Sequence, residues 1–196
     1  MTNARRTLDT ARRLWYEPTA LLLRSVSDHD LINEELTQWA KVREVTDAAD
    51  QADLMVTLMV TYPEFRNVFY YRLRQSGGTG EALAMAASRI WRPIPTLDIA
   101  TPHIGPGLVI SHGNGTILTA ESIGRNCWVH HEVTIGWEYG TGKPTIGNDV
   151  FVGVGAKILG SVNVGDGARI GANAVVVDDV PVGGTAVGVP ARIRES

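Results

Sequence analysis

The sequence predicts an α+β chain in which an N-terminal α-helical region is followed by a parallel β-helix with one extruded loop. The first observation is a strict six-residue beat. Ile146, Val152, Ile158, Val164, Ile170, Val176 and Val182 are each six apart, and Val150, Ala156, Val162, Ala168, Ala174, Val180 and Ala186 follow them by four. A helix places apolar residues every 3.6 positions and a strand every two, so neither explains a long period of six. A coil with three six-residue sides does, closing a turn in about 18 residues with the aliphatics stacked inside. The second observation is that Gly147, Gly153, Gly165, Gly171 and Gly183 follow the lead aliphatic, where such a coil turns its corners. The third is the helical spacing of the first half, which ends at Arg92-Pro93-Ile94-Pro95. That proline pair reads as a hinge between a helical domain, 1–95, and a β-helix domain, 96–196.

The helical region divides into five. Residues 4–16 place Ala4, Leu8, Ala11, Leu14 and Trp15 at helical spacing, and Pro18 is expected to end the run. Ser27 or Asp28 caps a second helix reaching Val45, with Leu31, Ile32, Leu36, Trp39 and Val42 on one face. Thr46 or Asp47 is expected to cap a third, ending at Tyr62. Pro63 suits the first turn of a fourth, which carries Phe65, Val68, Phe69 and Leu73. Gln75–Gly80 reads as a loop and Glu81–Ile90 as a fifth helix. The aromatic residues are expected in the core.

The solenoid extends upstream in a shifted frame. Ile117, Ile123, Val129 and Ile135 keep the beat, with Cys127 and Val133 inside, as do Ile104 and Ile110 with Leu108. Seven residues separate Ile110 from Ile117, so one residue is inserted within Ser111–Thr116; eleven separate Ile135 from Ile146, which marks a loop at Gly136–Thr145. Interruptions of an otherwise uniform pattern are where function concentrates. His112 lies at the first, beside Gly113, Asn114 and Gly115, whose small side chains let a ligand approach the backbone. Asp98, fourteen residues upstream, is placed to orient the imidazole. The loop Trp137-Glu138-Tyr139-Gly140-Thr141-Gly142-Lys143 is expected to fold over the same edge.

Composition limits the alternatives. Net charge is −3 and the pI near 5.9, so nothing marks a nucleic-acid surface. One cysteine, Cys127, rules out a disulfide within the chain and makes the cytoplasm the expected compartment. The longest apolar stretch, around Leu54–Val60, is too short for a bilayer, and the arginine-rich start lacks the apolar core of a signal peptide.

The stretch from Leu97 to Arg194 resembles the hexapeptide-repeat acyltransferases, and among them the serine O-acetyltransferase group. The strings that carry the resemblance are LDIATPHIGPGLVISHGNGTIL, VTIG, GVGAKILGSVNVGDGARIGANAVVVDDVP and GVPARI, with YPEFRNVFYYRLR similar to the helical segment before the repeat. It implies a left-handed β-helix, a homotrimer that pairs into hexamers where the helical region allows, and acetyl-CoA in the groove between neighbouring β-helices, with no metal. It also implies acetyl transfer to a small hydroxyl acceptor with His112 as general base and Asp98 holding its tautomer. Backbone amides near Gly113 or across the interface would hold the oxyanion. Val154, Gly155, Ala156 and Ala172 would line the pantetheine arm, and Arg192, then Lys157, would meet a phosphate. Acceptor contacts fall to Ser111, Lys143 and Trp137.

Three positions depart from the serine enzymes. Ser111 stands where they carry an aspartate, Gly142-Lys143 where they carry Arg-His, and the Asp98–His112 spacing is one residue shorter. A sugar or other metabolite is therefore the alternative acceptor, with amine acetylation also open. The sequence ends with GVPARIRES, without the tail that binds the cysteine-forming lyase, so that partner is not expected. Of His130 and His131, one is expected to face inward or an intersubunit face and the other outward, both structural. Cys127 is expected to be inert. Two other classes share the repeat: a γ-type carbonic anhydrase using His103, His112 and His130 or His131 around zinc, and a non-catalytic scaffold.

Overall fold

The computed structural model describes residues 3–138 and 140–194, with side chains at Thr10 and from Leu14 onward. It divides into two compact units, Met1–Ile94 and Pro95–Ser196. The first holds five helices: α1 (Asn3–Arg24), α2 (His29–Arg43), α3 (Gln51–Thr61), α4 (Pro63–Gln75) and α5 (Gly78–Ile90).

Helix α1 runs through Pro18 rather than ending there. Proline removes only the one intrahelical bond that would reach the Leu14 carbonyl, and the Thr19 hydroxyl donates to the next two carbonyls, those of Trp15 and Tyr16, at 2.7 and 3.0 Å. The buried Ala20 and Leu22 beyond it give the helix a reason to continue. Leu14 is exposed, off the expected face, while Trp15 meets Trp91 edge-on at 4.9 Å; the side chains of Ala4, Leu8 and Ala11 lie outside the described residues. Helix α2 is capped by Asp28, whose carboxylate accepts from Leu31 N, and buries Ile32, Leu36 and Trp39. Helix α3 is capped by Asp50, not by Thr46 or Asp47: Asp50 accepts from Asp53 N while Asp53 accepts from Ala49 N, a reciprocal cap that neither earlier residue makes. Seven of its residues are buried, which makes it the centre of the bundle. Pro63 occupies the first turn of α4, as its fixed φ favours. There Arg72 donates from Nε and Nη2 to Glu35 Oε2 in a buried pair at 2.9 and 2.6 Å. The expected Gln75–Gly80 loop shrinks to Ser76 and Gly77.

The second unit is a parallel β-helix. Its short strands are β1 (Leu97–Ile99), β2 (His103–Ile104), β3 (Val109–Ile110), β4 (Thr116–Leu118), β5 (Ser122–Ile123), β6 (Trp128–Val129), β7 (Thr134–Gly136), β8 (Thr145–Ile146), β9 (Phe151–Val152), β10 (Lys157–Leu159), β11 (Asn163–Val164), β12 (Arg169–Ile170), β13 (Val175–Val176), β14 (Thr185–Val187) and β15 (Arg192–Arg194). They form three sheets, the sides of the coil: β1-β4-β7-β10-β13 (side A), β2-β5-β8-β11 (side B) and β3-β6-β9-β12-β14-β15 (side C). All pairs are parallel except β14 with β15.

Register explains the core. Ile99, Leu118, Ile135, Ile158 and Val176 stack on side A; Ile104, Ile123, Ile146, Val164 and Val180 on side B; Ile110, Val129, Val152, Ile170 and Ala186 on side C. Two expected core positions are corrected. Leu118, fully buried, faces inward and Ile117, 42% exposed, faces out, so the insertion after Ile110 is two residues rather than one. Val182 is 78% exposed; Val180 stacks on Val164 and Ala186 on Ile170, so the last coil is two residues short. In both places the neighbouring frame also offers an aliphatic, and burial of the coil interior selects between them.

Candidate active site

The corners of the coil sort the candidate residues. The corner joining side C to side A carries the turns 111–115, 130–133, 153–156 and 171–174, and the turn 188–191 leaves side C after β14 but returns to it at β15. Main-chain bonds stitch them into one edge: Glu132 N donates to Asn114 O (2.8 Å), Gly155 N to His131 O (3.0 Å), Asn173 N to Val154 O (2.8 Å) and Val175 N to Gly188 O (3.0 Å). Rungs of a sheet lie about 4.8 Å apart, so the His112 turn and the Ala172 turn are separated by about 14 Å along this edge.

His112 sits in the two-residue insertion with φ at 66°, a left-handed conformation uncommon outside glycine, between Ser111 and the left-handed Gly113 and Gly115. Its side chain is exposed and its carbonyl accepts from Asn114 N at 2.8 Å. Asp98 is exposed on β1, in register with Ile117 on the strand that follows the His112 turn. Among the described residues no hydrogen bond joins Asp98 to His112. Ser111 is buried, and its hydroxyl accepts from Trp128 Nε1 at 2.8 Å.

Neither His130 nor His131 enters the coil interior, which Val129 and Val133 fill. His130 stacks on Trp128 with centroids 5.7 Å apart and meets Phe151 edge-on at 5.3 Å, while the Arg169 guanidinium lies 4.7 Å over Phe151. His131 meets the His112 ring at 5.6 Å with planes at 78°. Sequence reasoning left His131 out of the site. The signal was available: it lies nineteen residues after His112, the same offset that stacks Val129 on Ile110.

Val154, Gly155 and Ala172 reach the surface on this edge, whereas Ala156 is fully buried in the interior. A Cβ on Gly155, where φ is 72°, would come within 2.1 Å of the Asn173 side-chain oxygen, so the turn is held to bare main chain. The Lys157 ammonium donates to the Glu132 carbonyl. Arg192 is exposed on β15, bordering a cavity of about 140 Å³ with Asp178 and Asp179. Small exposed residues along one edge and an exposed guanidinium at its end fit a long, thin ligand carrying phosphate at one end.

The glycine-containing loop does not share this edge. It leaves side A after β7 and enters side B at β8, so Trp137 and Lys143, both exposed, stand at a different corner from His112. The loop is seated by Glu121 N on Pro144 O and by Gly160 N on Gly136 O, at 2.8 and 3.1 Å; Tyr139 lies outside the described residues. The expectation that it folds over the His112 edge of its own coil is therefore corrected. Cys127 is buried with its thiol against the Gly147 carbonyl, and burial pushes its pKa up to about 12. His103 is on β2, side B, away from the other histidines. Among the described residues no three His, Cys, Asp or Glu converge as metal ligands would.

Residues 143–178 match the bacterial transferase hexapeptide model, described as six repeats. The chain is 41% identical over 145 residues to a serine acetyltransferase of Helicobacter pylori, covering 69% of this chain and 83% of that one. It is 36% identical over 160 residues to a serine acetyltransferase of Bacillus licheniformis, covering 76% and 72%. Among solved structures, the Neisseria gonorrhoeae serine acetyltransferase in complex with serine aligns with a TM-score of 0.63 and 28% identity, over 88% of this chain and 72% of that one. The soybean serine acetyltransferase apoenzyme gives 0.63 and 29%, over 86% and 70%.

Proposed function

The chain belongs to the serine acetyltransferase family and is an acetyl-CoA-dependent O-acetyltransferase, and we propose that its acceptor is L-serine and its general base His112. The observation that supports this reading is the shared edge: the exposed imidazole and the small-residue turns suited to a pantetheine arm form one ladder. Acetyl-CoA supplies an activated acyl group on a thiolate leaving group. An alcohol is a weak nucleophile at neutral pH, so the chain must remove its proton as it attacks. His112 takes that proton on an imidazole nitrogen and returns it to the departing sulfur. Asp98, exposed on the adjoining strand, is the carboxylate that orients the imidazole once substrate fills the space beside it. Val154, Gly155 and Ala172 line the arm and Arg192 meets a phosphate, while Lys157, engaged with Glu132 O, has the lesser part.

The same reading takes the protein as a cytoplasmic homotrimer, in which residues 1–95 form a helical domain that can pair trimers and 96–196 the catalytic β-helix. Parallel packing of three coils would let a neighbour's loop, with Trp137 and Lys143, approach the His112 edge that its own coil denies it. No helix among the described residues is long and apolar enough to cross a membrane. One observation favours a second acceptor class, a sugar hydroxyl. The buried Ser111 puts no carboxylate beside the base to hold an ammonium group.

The test is thiol release from acetyl-CoA with L-serine, then with sugars and nucleotide sugars. Turnover with L-serine that disappears in His112→Asn supports the reading. Turnover with a sugar alone moves the acceptor, and turnover that survives the substitution removes His112 from the chemistry.

A further inference from the structure

We infer that His131 is a second working imidazole of this site: its Nε2–H donates to the acyl carbonyl oxygen while His112 acts as base. The inference rests on the acetyltransferase reading above and adds a residue to it.

The two turns are consecutive rungs of one edge, tied by Glu132 N on Asn114 O, and the two rings meet at 5.6 Å. A reacting carbon lying about 3 Å from an acceptor hydroxyl held by one ring is within reach of a donor on the other. The tautomer follows from burial. His131 Nδ1 is sealed from solvent with no hydrogen-bond partner, and among the described residues it is the one side-chain nitrogen or oxygen of the β-helix in that state. A proton on Nδ1 would be a buried donor with nothing to accept it, a rarer and costlier condition than a bare acceptor. In the neutral ring the proton therefore belongs on Nε2. Nε2 reaches the surface and makes no hydrogen bond within the chain, so it is free for a ligand. The groups around the ring are the His112 and His130 imidazoles and, through the Glu132 carbonyl, the Lys157 ammonium; none of them holds Nε2.

Atoms balance without a co-reactant. The acceptor oxygen bonds to the acyl carbon as its proton passes to His112, and negative charge gathers on the carbonyl oxygen. His131 donates a hydrogen bond to that oxygen and keeps its own proton. The carbon–sulfur bond then breaks, the carbonyl re-forms, and the proton on His112 goes to the thiolate. The division of labour is that of a base and a preorganised donor, and removal of one such donor costs about 10²-fold in kcat.

The test uses the full chain, the thiol-release assay and ¹⁵N NMR of the wild-type imidazoles. His131→Ala is expected to lower kcat about 10²-fold with KM for acetyl-CoA and acceptor near wild type, and His131→Gln, which keeps an N–H donor, to recover most of that loss. The NMR spectrum is expected to show the Nε2–H tautomer for His131. A wild-type kcat in His131→Ala, a His131→Gln no better than alanine, or a proton on Nδ1 would each overturn the donor role while leaving the acetyltransferase reading in place. A folded wild-type chain that releases no thiol with any acceptor would sink that reading and the donor with it.

Discussion

Trp128 Nε1 donates to Ser111 Oγ across 2.8 Å, and this bond anchors the turn that carries His112 to the aromatic face of the next rung. Trp128 is in register with Val109, and Ser111 N bonds Val129 O, so the indole reaches back one rung to the residue before the base. Ser111→Ala strands a partly buried indole N–H, which costs about 1–2 kcal/mol. Urea denaturation is expected to show that loss. KM for L-serine is expected to stay near wild type, because the Ser111 side chain is buried away from the exposed imidazole's surroundings; a large rise in KM with stability intact would make Ser111 an acceptor contact instead.

His112 holds a left-handed backbone, so the substitution that tests its chemistry must tolerate that conformation. Asparagine does so better than most residues. His112→Asn is expected to keep the circular dichroism and oligomeric state of the wild type and to lose about 10²–10⁴-fold in kcat. A loss confined to KM would give the imidazole a binding role and leave the base unassigned.

How far the sequence shows the fold depends on where its beat is unbroken. From Ile146 to Val176 the spacing stays at six, and every aliphatic on it is buried where the period puts it, even where Leu159 or Val177 stands in the neighbouring frame. At Ile117-Leu118 and at Val180/Val182 two frames offer an aliphatic, and only closure of the coil decides between them. Pro18 differs for another reason: the rule that proline ends helices counts the one lost bond and leaves out the apolar residues beyond it, Ala20 and Leu22, whose burial favours continuing the helix. The site was half legible. An inserted histidine among glycines stands out in the pattern, whereas the corner from which a loop leaves depends on how many sides precede it, which the spacing alone does not give. His131 is harder to read, because a histidine pair in a strand implies one side in and one side out. The turn at residues 130–133 breaks that alternation.

Glycine at position 124 is required by contact rather than by conformation. A Cβ there would lie 2.5 Å from both the carbonyl carbon and the oxygen of Gly147, on the next rung. The rungs cannot part to admit it without breaking the 2.8 Å bond from Gly124 N to Ile146 O. Gly124→Ala is expected to destabilise by about 1–3 kcal/mol, as overpacking does in other interiors. Gly78→Ala is the control: at the start of α5 its Cβ would meet nothing within 4 Å, so stability should hold or rise by about 0.5 kcal/mol. Equal losses at both positions would remove the close-approach explanation.

The helical unit carries a pH dependence of its own, set by Asp50. Its carboxylate accepts from Asp53 N at 2.9 Å and from the Tyr16 hydroxyl at 2.7 Å, tying α1 to the start of α3. The Asp53 amide, and after it the Tyr16 hydroxyl, hold the Asp50 pKa below the usual carboxylate value, while the same bond raises that of Tyr16. A lowered folded pKa means that the stabilisation is complete above the unfolded value, about 4, and is lost as pH falls through the folded one. A raised tyrosine pKa acts at the other end: its contribution is complete below about 10 and is lost as pH rises through the folded value. Asp50→Asn keeps a capping oxygen but removes the charge. Wild type is therefore expected to melt above the variant at pH 7 and to converge with it below about pH 4. Tyr16→Phe should lower the melting temperature of wild type more than that of Asp50→Asn, because the two side chains share one bond. Melting curves that stay equally separated at acid and neutral pH would show that the carboxylate charge is not what the cap depends on.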